Sequence, residues 1–157
     1  MAESILNNKK ILIVDDESDV ITVVEQEILE RCKDSKIDKA DNYENAVQFL
    51  KSNDYDLVIL DIMGVRGFDL LEIAVGRKFK VAMLTAHALN PGALKKSHDM
   101  GAMAYLPKDK LGELVPLLED ILRNDYKTEW GQLMAKLDNY FKEQFGNDWR
   151  RREVINW

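Results

Sequence analysis

Ile11-Leu12-Ile13-Val14, Leu57-Val58-Ile59-Leu60 and Val81-Ala82-Met83-Leu84 are compact apolar runs, and each stops at a polar side chain. The first ends in Asp15-Asp16, the second in Asp61, the third in Thr85. A continuous run of this length suits a strand buried on both faces, whereas a strand with one wet face would alternate. All-parallel sheets are covered on both faces, and parallel neighbours need a crossover rather than a hairpin. The intervening stretches carry helical patterns. Val20, Ile21, Val24, Ile28 and Cys32 follow Ser18, a candidate cap; Ala46, Val47 and Leu50 follow Asp41 and Asn42. Residues 67–75 form a third pattern. Asn90-Pro91 starts a fourth, with Asn as cap and Pro at the first helical position, and residues 110–123 form a fifth. Weaker strand candidates at 36–40 and 102–106 complete five βα repeats. The order predicts an α/β fold, doubly wound, with a five-stranded parallel sheet and helices on both faces. Pro116 sits well inside the last pattern, where it would remove a backbone bond. Either the chain bends there or the helix begins near Leu114.

The sheet unit is expected over residues 9–123, and a C-terminal helical extension over 124–157. In the extension Trp130, Leu133, Met134, Leu137, Phe141 and Phe145 recur at helical spacing, with Gly146 as a stop. Such a stripe packs on the sheet unit, on a partner helix or on a second copy; a homodimer through this helix is the leading expectation. The net charge of −6 argues against nucleic-acid binding, which needs a basic surface, and Arg150-Arg151-Arg152 reads as a solvated helix face. Cys32, the one cysteine, cannot form an internal disulfide and suits buried packing in a reducing compartment. No run approaches the roughly 18 apolar residues of a membrane span, and residues 1–8 lack a signal-type core. A cytoplasmic protein without membrane contact is expected.

In open parallel sheets, sites form beyond the carboxyl ends of the strands. That is where Asp15, Asp16, Asp61, Thr85 and Lys108 fall. Three carboxylates gathered there would repel one another unless a cation lay among them, and hard oxygen ligands suit Mg²⁺. Thr85 offers a hydroxyl and Lys108 an ammonium. Together they form a phosphoryl-transfer set: a carboxylate nucleophile, positive charge to neutralise phosphoryl oxygens, and one further hydrogen-bond donor. Singly, each has a plainer reading: a strand-end Asp as a turn residue, Thr85 as a helix cap, Lys108 as a surface charge. Their joint placement at the ends of strands one, three, four and five favours the chemical reading.

The segments carrying these residues resemble bacterial response regulator receiver domains. Ile-Leu-Ile-Val-Asp-Asp-Glu is similar to the family's opening strand, Leu-Val-Ile-Leu-Asp-Ile-Met to its phosphoacceptor strand, Leu-Thr-Ala-His to its switch-threonine segment and Tyr-Leu-Pro-Lys to its lysine segment. The resemblance spans about residues 9–123 and implies a flavodoxin-like, CheY-like fold in two-component phosphorelay signalling. It implies that Asp61 accepts a phosphoryl group from a histidine kinase or phosphotransfer protein. Asp16 would be a direct Mg²⁺ ligand, Asp15 would act through a metal-bound water, and the Met63 carbonyl would add a ligand. Thr85 would be the switch hydroxyl, and Tyr105 the aromatic that turns inward on activation. Lys108 would pair with Asp61 and then with the phosphoryl group. Met63 and His87 occupy the positions that tune phosphoryl lifetime. The output surface would be the fourth helix, fifth strand and fifth helix. On this reading the chain is a signalling domain whose only catalysis is its own phosphorylation and dephosphorylation.

Three departures stand out. The loop after Asp61 reads Gly64-Val65-Arg66-Gly67, without the family's usual proline. The interval from Asp61 to Thr85 is 24 residues, shorter than usual, which places a deletion around Gly76-Arg77-Lys78. Pro107 precedes Lys108 instead of following it, so any cis bond would be Leu106–Pro107. Rival readings are an unphosphorylated α/β interaction module and an aspartate-based phosphatase-like enzyme. The latter wants Asp-x-Asp after the first strand, which Asp15-Asp16-Glu17-Ser18 does not supply.

Overall fold

The computed structural model describes residues 4–86 and 91–125, and beyond them residues 129–132, 135, 138, 139, 142, 143, 146 and 147. The apolar runs form strands β1 (Lys10–Val14), β3 (Leu57–Asp61) and β4 (Lys80–Thr85), and the weaker candidates form β2 (Lys36–Ala40) and β5 (Ala104–Pro107). Every pairing is parallel and the order is β2-β1-β3-β4-β5. Residues 11–14 and 57–61 are buried throughout, as strands covered on both faces must be. Edge strand β2 is buried only at Ala40, which explains its weak apolar signal.

Helices α1 (Ser18–Arg31), α2 (Tyr43–Ser52), α3 (Gly67–Gly76) and α4 (Pro91–Asp99) provide the four crossovers, and α5 (Leu114–Arg123) follows β5. Ile21, Val24 and Ile28 of α1 and Ala46 and Leu50 of α2 are buried against the sheet. Cys32 is buried and free, a packing residue. Asn42 caps α2, its side chain accepting from Asn45 N at 2.8 Å. Ser18 is not the cap of α1: it is the first helical residue, behind Glu17, which makes no side-chain cap bond. The nearby carboxylate of Asp15 accepts from Glu17 N at 2.9 Å instead. Pro116 causes no kink. A 3₁₀ turn over Lys108–Glu113 precedes α5, so Pro116 falls in the first turn, where its missing N–H has no helical partner to lose. The expected helix from Lys110 thus starts four residues late. No cis peptide bond occurs among the described residues.

The exit from α3 is tight. Lys78 takes a left-handed φ of 63°, and Phe79 N donates to Ala74 O at 3.0 Å before β4 begins. Residues 129–132 of the extension are helical, and Trp130 is buried, its indole Nε1 donating to Ala102 O at 2.6 Å. The extension therefore packs, at this point, on the sheet unit. Gly146 has φ 92° and donates to Lys142 O, the geometry of a helix stop. Leu133, Met134, Leu137, Phe141, Phe145 and Arg150–Arg152 lie outside the described residues, so the homodimer expectation has no structural counterpart here. No helix among the described residues is long and apolar enough to cross a membrane.

Candidate functional site: an acidic pocket at the carboxyl edge of the sheet

Because all five strands run the same way, their carboxyl ends share one edge. β1 delivers Asp15 and Asp16, β3 delivers Asp61, and the turn after β5 delivers Lys108. Asp15, Asp16 and Asp61 each offer a carboxylate oxygen within 4.8 Å of the others. Lys108 Nζ lies 3.1 Å from Asp61 Oδ1, 2.8 Å from Asp15 Oδ2 and 3.4 Å from Glu17 Oε1. Asp15 is fully buried and Asp61 is 3% exposed, while Asp16 faces solvent. Thr85 ends β4, opposite Pro107, and is nearly buried. One strand over, Asp61 pairs with Leu84.

The loop after Asp61 is shaped by two glycines. Gly64 has φ 84°, and a Cβ there would overlap the Asp16 carboxylate, whose farther oxygen stands only 2.7 Å away. At Gly67 a Cβ would collide with the Asp61 carbonyl oxygen and lie 2.8 Å from Ile62 Cα. The backbone contacts at Gly67 leave no room for a side chain, whereas one at Gly64 would strain the left-handed backbone and displace the Asp16 carboxylate, so the loop packs directly on the acidic cluster. Val65 and Ile62 are buried and hold it down.

Electrostatics follow from this crowding. Burial and the Asp15 charge push the Asp61 carboxyl up to about 6, against the pull of Lys108. Burial also raises Asp15, outweighing Lys108 and the Glu17 N–H. Burial works against the Lys108 ammonium, yet its contacts with Asp15 and Asp61 raise its pKa. Three carboxylates and one ammonium leave a surplus of two negative charges. Asp15 Oδ2 is buried without a well-angled hydrogen bond, with Lys108 as an ion-pair partner only. An all-oxygen donor set with that surplus fits a hard divalent cation such as Mg²⁺.

Folding thus brings together Asp15, Asp16, Asp61 and Lys108, with Thr85 on the neighbouring strand end. Met63 is 73% exposed beside the pocket. Tyr105 is fully buried in β5. His87 lies outside the described residues. The residue patterns did not assign Glu17 a role; its position directly after the acidic pair was the available signal. The steric role of Gly64 was equally hidden, since it depends on how closely the loop approaches Asp16.

Over residues 11–119 the chain matches the family model of the response regulator receiver domain. It is similar to a two-component response regulator from Clostridium difficile, with 28% identity and a TM-score of 0.66, covering 74% of this chain and 97% of that one. A response regulator from Thermotoga maritima shares the fold at 22% identity and a TM-score of 0.65, covering 74% of this chain and 98% of that one. A CheY-like receiver domain protein from Methanospirillum hungatei JF-1 does so at 23% identity and a TM-score of 0.56, covering 86% and 98%. No curated protein sequence matches the chain.

Proposed function

This chain belongs to the response regulator receiver domain family, and from that premise we propose that it is a phosphoacceptor switched at Asp61. The observation that carries this reading is the Asp61 carboxylate itself. It is 3% exposed, raised in pKa, and sits between two further carboxylates and the Lys108 ammonium at the sheet's carboxyl edge.

In the proposed reaction an Asp61 oxygen attacks phosphorus on a phosphohistidine of a sensor kinase or phosphotransfer protein. The O–P bond forms as the P–N bond breaks, and the electron pair leaves on the imidazole nitrogen. Asp16, Asp61 and the Met63 carbonyl would hold Mg²⁺ directly, with Asp15 acting through a bound water. The ion supplies positive charge that neutralises the phosphoryl oxygens. Lys108 moves its charge from Asp61 to a phosphoryl oxygen, and Thr85 donates its hydroxyl to another. These shifts pull on β4 and β5, where Tyr105 lies, and so alter the α4–β5–α5 surface. The chain acts as a signalling domain, not as an enzyme on other substrates. Met63 offers no side-chain hydrogen bond to orient an attacking water, so hydrolysis is not unusually fast. Met63→Asn and His87→Ala test whether these positions set the lifetime, which predicts a changed rate in at least one.

Incubation with acetyl phosphate and Mg²⁺ tests the reading. The chain should gain one acid-labile phosphoryl group, and Asp61→Asn should gain none. Equal labelling of the variant, or no labelling of the parent, overturns it.

A further inference from the structure

Lys108 is delivered by a weak element. β5 has four residues, lies at the sheet edge and hydrogen-bonds to β4 alone. An edge strand this short depends on its flanks for register. At its carboxyl end stands Lys108, bridging Asp15 and Asp61. At its amino end, the connection from α4 is tied by Ala102 N to Ser97 O at 3.0 Å and Met103 N to Val81 O at 2.7 Å. Trp130 adds a tie from outside the sheet unit. Its indole N–H bonds the Ala102 carbonyl, and its ring meets His98 of α4 edge to face, with centroids 5.0 Å apart. The ring is 3% exposed, and its neighbour Glu129 is equally enclosed, accepting from Asn124 Nδ2 at 3.2 Å.

We propose that Trp130 is a positioning residue of the phosphoryl site: it staples the α4–β5 connection and, through β5, holds Lys108 in place over Asp61 and Asp15. The extension is then an intramolecular activator of the site, docked at α4 and the α4–β5 connection. The inference rests on the phosphoacceptor reading. By linkage, filling the site must tighten the Trp130 contact by the same factor that the contact tightens the site.

The test uses the full chain with Trp149→Phe and Trp157→Phe, leaving Trp130 as the one tryptophan. Beryllofluoride with Mg²⁺ stands in for the phosphoryl group, and its binding is followed by ¹⁹F NMR. Trp130 emission is read in the same titration. The expected result is an emission shift whose midpoint tracks loading. In the full chain, Trp130→Phe (which keeps a ring and loses the N–H) and Trp130→Ala should weaken loading, the latter by about fivefold or more. Unchanged loading in both variants overturns the inference. Weakened loading with emission blind to beryllofluoride does so too, because a merely structural tryptophan would behave that way. No loading of the parent overturns the phosphoacceptor reading, and this inference with it.

Discussion

At the residue scale, Asp61 sets the balance between stability and chemistry. Its carboxyl titrates at 3.8 when unperturbed and at about 6 in the folded, cation-free protein. The folded state therefore binds this proton more tightly than the unfolded state. The stabilising effect of the proton is fully present below pH 3.8 and is lost as pH rises through about 6. In chelator, this group should cost on the order of 3 kcal/mol between those limits. Mg²⁺ should recover most of that loss at pH 7, by binding the folded state alone. Urea unfolding at pH 4.5 and 7, with EDTA or Mg²⁺, measures it, and Asp61→Asn should flatten the pH dependence. A wild type that is more stable at pH 7 than Asp61→Asn in EDTA would contradict the argument. A second residue prediction concerns the loop: Gly64→Ala should weaken Mg²⁺ binding about tenfold or more, because its Cβ meets the Asp16 carboxylate. Isothermal titration reads this, and unchanged affinity would show that the loop yields. Asp15, Asp16, Asp61, Thr85 and Lys108 were legible because polar residues that close apolar runs collect at one sheet edge. Ser18 misled because a carboxylate three residues back satisfied the N–H beside it, and only the folded turn reveals that.

At the element scale, the strongest signals were the strands buried on both faces, β1, β3 and β4. β2 and β5 were faint because an edge strand has less apolar surface to hide and β5 is short. Pro116 was legible as an anomaly, and the 3₁₀ turn before α5 resolves it by shifting the helix start to Leu114. The α3 exit yields a prediction. Lys78 is a non-glycine residue at φ 63° in the position where helices favour glycine. Lys78→Gly should stabilise the fold by about 0.5–1 kcal/mol. Asn42→Ala should destabilise it by about 1 kcal/mol through loss of the α2 cap. Chemical denaturation measures both; a destabilising Lys78→Gly would show that unfolded-state entropy outweighs the relieved strain.

At the scale of the whole molecule, a single geometric fact links fold to function: parallel strands place five site residues from four separated segments on one edge. The extension is the part the sequence left open. Its stripe was compatible with three partners, and periodicity alone carries no information about which surface it meets. Trp130 meets the chain's own α4–β5 connection. Removing residues 124–157 should therefore lower stability by about 2 kcal/mol or more, the scale of exposing one large buried side chain. Unfolding curves of the full chain and of residues 1–123 compare them directly. The central claim, a cation-dependent phosphoacceptor at the acidic edge, is tested most directly by peptide mapping after acetyl phosphate treatment. The account predicts one phosphoryl group on the peptide containing Asp61, formed with Mg²⁺ and absent in EDTA. A phosphoryl group on another residue, or equal labelling in EDTA, would contradict it.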